Sequence, residues 1–135
     1  MFYDFAITVP ANTLESAPVS QALKLSMGVI QKVYLLFPPG PHGMVKLKIL
    51  EGGHQFLPTN PDGYFASDDE VLNIDEYYEL ISEPYSLKAV AYSPGTTYNH
   101  TISVRIGILR PEEVEKSSGL MMALKRFFKL VGIGG

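Results

Sequence analysis

The sequence has no cysteine, which excludes disulfide staples, thiolate metal ligands and a thiol nucleophile together. It also lacks charge of one dominant sign. With 11 basic and 14 acidic residues the formal net charge is −3, without the basic excess that marks a nucleic-acid binder. Long apolar runs are missing too. The longest candidates, Val33–Phe37 and Gly119–Ala123, fall far short of the roughly 20 residues that span a bilayer. The opening Met1-Phe2-Tyr3-Asp4-Phe5 has neither the basic start nor the apolar stretch of a secretory leader. The expectation is a chain made in a cytoplasm, with neither nucleic acid nor membrane as partner. Asn99-His100-Thr101 matches a glycosylation sequon, which counts for little without a leader.

Catalytic signatures are equally sparse. No serine lies in a nucleophile-elbow pattern, and no glycine-rich loop carries the lysine of a phosphate cradle, since Gly40 and Gly43 sit among prolines. His42, His54 and His100 are scattered, with no pair at metal-motif spacing. Structural or surface roles fit them better, although the fold is free to bring His42 and His54 to Asp68 or Asp69. The runs Asp68-Asp69-Glu70 and Asp75-Glu76 lack the alternate spacing and glycine turn of a calcium loop. Nor do they single out an acid and base pair of glycosidase type. These readings point away from an enzyme and call for no cofactor and no metal.

What the sequence does have is a two-residue rhythm. At 135 residues and 46% hydrophobic the chain suits one domain with one core. Along Tyr98–Leu109, Tyr98, His100, Ile102, Val104, Ile106 and Ile108 alternate with Asn99, Thr101, Ser103, Arg105 and Gly107. Successive strand side chains point to opposite faces, so this reads as one apolar and one wet face. Tyr3–Val9, Leu23–Met27, Val45–Ile49 and Tyr85–Ala91 repeat the pattern. Gly28–Phe37 is apolar on both faces except at Gln31 and Lys32, which predicts a strand covered on two sides, the second by a partner. His54–Leu57 reads as a shorter strand. Around Ile74–Ile81 a strand competes with a helical face formed by Tyr77, Leu80 and Ile81.

Proline and glycine punctuate these runs at Phe37–Gly43, Glu51-Gly52-Gly53, Pro58–Gly63 and Ser93–Thr96. About eight short strands so divided predict an all-β fold, a β-sandwich over residues 1–110. From Pro111 the pattern changes. Proline at a first helical position, followed by Glu112, Glu113 and Glu115, suits a helix start. Leu120, Leu124, Phe127, Phe128 and Val131 then fall at helical spacing beside Lys125, Arg126 and Lys129. Residues 111–135 therefore read as an amphipathic helical tail that docks on protein. Tyr64, Phe65, Tyr77, Tyr78 and Tyr92 are read first as core, then as interface anchors, and last as a sugar-stacking platform.

Ile7–Thr13, Gly28-Val29-Ile30 leading to Phe37-Pro38-Pro39-Gly40, Gln55–Asn60, Pro84–Leu87 and the strand Thr101–Ile108 together resemble small structural proteins of tailed bacteriophages. The resemblance covers about residues 5–109 and contains no catalytic motif. It implies a jelly-roll capsid decoration (cement) protein, a homotrimer seated on the major capsid protein at the exterior of the virion. Contacts are then expected from the proline-rich loops and the tail, with Pro38, Pro39, His42, Phe56, Asn60, Tyr64, Leu124, Phe127 and Phe128 as interface residues. The rival readings are another virion component (a spike base, neck or fibre-attachment protein) and a carbohydrate-binding β-sandwich module. A small histidine-metal enzyme of cupin type is a more distant third.

Overall fold

A computed structural model describes residues 1–113 of the chain. It contains eight strands: β1 (Phe2–Val9), β2 (Val19–Lys24), β3 (Gly28–Phe37), β4 (Lys46–Glu51), β5 (His54–Leu57), β6 (Glu70–Leu80), β7 (Ser86–Tyr92) and β8 (His100–Leu109). They form two four-stranded antiparallel sheets, ordered β1-β8-β3-β6 and β2-β7-β4-β5. The architecture is a β-sandwich.

Alternation builds the core directly. Ile7 and Val9 of β1, Ile102, Val104, Ile106 and Ile108 of β8, and Ile30, Val33 and Leu35 of β3 turn inward and are fully or almost fully buried. Leu23, Leu87, Ala89, Leu47 and Ile49 meet them from the other sheet. Burying each large aliphatic side chain is worth about 1.5–3 kcal/mol, and this inner layer is the main source of stability. The sheets close along their flanks as well. Phe56 of β5 packs on Tyr78 of β6 with ring centroids 4.4 Å apart.

Two sequence expectations change, and one open choice is decided. Of the two readings of Ile74–Ile81 the strand holds, because β6 runs from Glu70 to Leu80 paired with β3, with one bulge opposite Ile30–Lys32. A strand periodicity there turns Leu72, Ile74, Tyr78 and Leu80 inward, which the helical reading overlooked. β3 is fully covered on one side and half-covered on the other. Part of that second cover is the chain's own, since the Phe2 ring stacks on Tyr34 at 6.3 Å. Tyr98 precedes β8 and is 75% exposed, so the alternating strand begins at His100.

One glycine fixes the entry to β3. Gly28 has φ +155°, and a Cβ there would lie 2.2 Å from the Leu109 carbonyl oxygen. Only a residue without a side chain lets β3 approach β8 this closely. After β8, Arg110 and Glu113 bond reciprocally: the Arg110 N–H donates to the Glu113 carboxylate (3.2 Å), and the Glu113 N–H donates to the Arg110 carbonyl (3.0 Å). The expected helical tail, with Leu124, Phe127 and Phe128, lies outside the described residues. No helix among the described residues is long and apolar enough to cross a membrane.

Candidate functional site

Strand direction gathers the long connections at one end. β1 finishes opposite the start of β8 (Val9 with His100), and β3 finishes opposite the start of β6 (Phe37 with Glu70). β7 likewise finishes opposite the start of β4 (Tyr92 with Lys46). The segments 10–18, 38–45, 58–69 and 93–99 therefore share an end of the sandwich. They are the proline-rich stretches that cannot continue a ladder.

This end is tied by long-range hydrogen bonds. The Asp68 Oδ1 accepts from the Gly40 N–H and the His42 N–H, both at 2.9 Å, and the Asp69 N–H donates to the Pro38 carbonyl at 3.2 Å. His42 Nδ1 lies 3.9 Å from the same Asp68 oxygen. These bonds, His42 foremost and then Gly40, hold the Asp68 carboxyl below its ordinary 3.8. A charged acceptor makes such bonds stronger than neutral ones. Across the end, the Ala11 N–H donates to Asn99 Oδ1 (2.9 Å), the Asn12 N–H to Thr96 Oγ1 (2.9 Å), and the Gly95 N–H to Asn12 Oδ1 (2.8 Å). The Ser93 N–H donates to the Thr13 carbonyl at 2.8 Å. Asn12 and His42 hold positive φ angles of 52° and 48°, a conformation that Asn and His tolerate better than most residues.

The 58–63 loop is organised differently. Gln55 Nε2 donates to the carbonyls of Pro58 (2.7 Å), Asn60 (3.1 Å) and Gly63 (3.1 Å). Two N–H donors thus serve three acceptors, so one bond is shared. Both loops are preformed surfaces, and ordering them on binding costs little.

The predicted contact residues divide. Pro39, His42, Asn60 and Tyr64 are exposed on these loops and Pro38 is half-buried among them. Phe56 departs from the expectation: at 8% exposure it belongs to the core, under β6, and offers nothing to a partner. Leu124, Phe127 and Phe128 fall outside the described residues. His54 stands on β5, away from the Asp68 loop, so the sequence-level grouping of His42 with His54 does not form. Among the described residues no group of three or more His, Asp or Glu could hold a metal ion. Of the aromatics, Phe65 and Tyr78 pack on the core and Tyr92 is buried. Burial raises the Tyr92 hydroxyl above its ordinary pKa, with Glu15 and Tyr64 adding to it. Tyr64 remains exposed in the 58–69 loop, edge-on to Tyr92 of β7, and Tyr77 is exposed on β6 of the other sheet. A cleft of about 330 Å³ beside the loops, lined by Leu36, Pro38, Asp69, Val71, Thr101 and Ser103, has the size of a seat for a partner side chain.

Sequence reading missed a second surface. On the outer side of the other sheet, the outward positions of β2, β7 and β4 are Ser20, Ala22, Lys24, Ser86, Lys88, Val90, Tyr92, Lys46, Lys48 and Leu50. Four of these are lysines and none is a carboxylate. On the opposite outer face, Lys32 pairs with Asp75, and Arg105 Nε lies 3.5 Å from Asp4. Each lysine was visible in the sequence as the polar half of an alternation. That the four share one face needed the strand order.

No protein-family model matches the chain, and comparison with curated proteins finds no match. Among solved structures the fold is similar to the Yersinia pseudotuberculosis-derived mitogen (YPM), with a TM-score of 0.42 and 10% identity, over 81% of this chain and 86% of that one. That likeness is too slight to carry an argument about function.

Proposed function

We propose that this chain is a structural, surface-binding protein of a virus particle, a capsid decoration protein that docks on the major capsid protein through its locked loop end. The observation that carries the reading is the set of cross-loop bonds centred on Asp68 and Asn12. A decoration protein gains nothing from a cleft that holds a reacting atom. It needs a broad surface that is already ordered, because association pays for every loop that must be immobilised. The strand order β1-β8-β3-β6 against β2-β7-β4-β5 is the order of a jelly roll, which supports the class of fold that the resemblance implies. The viral context itself comes from that resemblance. In this reading Pro38, Pro39, His42, Asn60 and Tyr64 meet the capsid, and the tail from Pro111 adds a second contact to a neighbour.

The test is co-sedimentation of the purified chain with capsids assembled without it. Saturable binding is expected. Replacing Pro39 and His42 together by bulky charged residues should abolish it while leaving the melting temperature within a few degrees. Capsids that never retain the wild-type chain, or a variant that binds undiminished, would overturn the proposal. The carbohydrate-binding reading predicts an exposed row of aromatics, whereas Tyr64 stands edge-on to Tyr92 beside one sheet and Tyr77 belongs to β6 of the other.

A further inference from the structure

Exposed apolar side chains on the strands belong to one sheet. Phe2 of β1 and Val71 and Tyr77 of β6 are 66%, 55% and 53% exposed, whereas no strand of the β2-β7-β4-β5 sheet holds a large hydrophobic residue so open. Their chain neighbours Tyr3, Leu72 and Tyr78 turn to the core, so all three stand on the outer face. Phe2 stacks on Tyr34, and Leu36, two residues on, pairs with Val71. Tyr34 and Leu36 are only half-buried. Phe2, Tyr34, Leu36 and Val71 thus make an apolar diagonal from β1 to β6, about 20 Å long by strand spacing and rise. It ends at the cleft of about 330 Å³ lined by Leu36, Pro38 and Val71. An exposed apolar strip of this length marks a contact surface.

The chain carries a segment that fits this strip. Residues 114–135 begin just past Arg110–Glu113, at the end of β8, an inner strand of the same sheet. Phe2, where the diagonal starts, pairs with Gly107 near that exit. The apolar stripe from Leu120 to Val131 spans twelve residues, about 18 Å as a helix, which matches the diagonal. Residues 114–119 can reach about 20 Å, enough to turn the stripe back onto the face. Charge favours the same seat. Residues 114–135 hold four bases and one acid, whereas Met1 to Glu113 hold seven bases and thirteen acids. The outer face of the other sheet presents four lysines, which repel such a segment. On this face Lys32 and Arg105 are already neutralised by Asp75 and Asp4.

We infer that in the free chain the Leu120–Val131 stripe lies on the Phe2–Tyr34–Leu36–Val71 diagonal of its own copy, with Phe127 and Phe128 towards the cleft. The tether decides between its own face and another copy's, because a short linker holds the stripe at an effective concentration of about millimolar. A dilute second copy does not compete with that. The covering of β3 on its outer side, begun by Phe2, is completed by this segment. Where copies crowd on a particle, the same stripe exchanged onto the next copy's diagonal gives the neighbour contact of the proposed function. The inference itself concerns the free chain and needs no capsid.

The experiment is nuclear magnetic resonance of the full chain in dilute solution, carrying one nitroxide label. The sequence has no cysteine, so a single introduced one takes the label alone. Asn73→Cys places it on the exposed side of β6, opposite Tyr34. There it should remove the amide signals of residues 124–131. Lys88→Cys places it on the outer face of the other sheet and should leave them. The loss should persist on dilution and vanish when label and isotope sit on different copies. Phe127→Glu with Phe128→Glu should restore the signals while the spectrum of residues 1–113 stays folded, which separates a released tail from an unfolded sandwich. Signals that survive the Asn73 label, or that both labels remove alike, overturn the inference. So does a loss seen only between copies, which would give the face to a second molecule. A chain that passes these tests yet never binds capsids would sink the proposed function and leave this inference standing.

Discussion

The two outer faces of the sandwich are made from the same strand pattern, yet they handle charge in opposite ways. On the β1-β8-β3-β6 face each base has an acid on the neighbouring strand, Lys32 with Asp75 and Arg105 with Asp4, and Phe2 lies over Tyr34. On the β2-β7-β4 face four lysines have no acid among them. The inner faces, by contrast, are alike. The difference teaches that folding needs only the inward half of each alternation, which leaves the outward half to be chosen for contacts.

That view can be broken first in the core. Leu35→Ala and Leu47→Ala, one from each sheet, should each cost about 3 kcal/mol in denaturant unfolding, since both side chains are fully buried. A large inequality would mean that one sheet is only loosely attached. Gly28→Ala should come next, at about 2–3 kcal/mol, from a Cβ forced against the Leu109 carbonyl at positive φ. Gln55→Ala should cost about 1–2 kcal/mol, because three loop carbonyls lose their donor. Its signature is faster proteolysis within residues 58–63.

Smaller again is Asp68→Ala, which should lower the melting temperature slightly at neutral pH. Because the Asp68 carboxyl is held below its ordinary value in the folded protein, its contribution is present above that value and fades as pH falls through the lowered one. The gap between wild type and variant should therefore close only in strong acid. A gap that closes near neutrality would assign the effect to another group. The outer faces should give the smallest effects of all. Replacing Lys32 by Met should lower stability slightly and replacing Lys48 by Met should not lower it at all, because only the first breaks a pair.

Much of this was legible in the sequence, and the rest was hidden for identifiable reasons. Period-two alternation marked β1, β4, β7 and β8, since it reports directly which side chains face the core. Proline and glycine marked the loops. Phe56 was misplaced because its short strand leads straight into the Pro58–Gly63 loop, and Tyr78, which buries it, lies more than twenty residues away. Asp68 went without a role at that level because its partners, the amides of Gly40 and His42, are also distant in sequence. Local patterns reveal elements. Staples and charged faces depend on which elements become neighbours.

Amide hydrogen exchange tests the central claim, that the loop end is built in advance of any partner. The account predicts that the Gly40, His42, Asn12 and Gly95 amides, each donating to a side-chain oxygen, exchange well below the rate of the exposed Gly52–Gly53 turn at the opposite end. Equal rates at the two ends would contradict it.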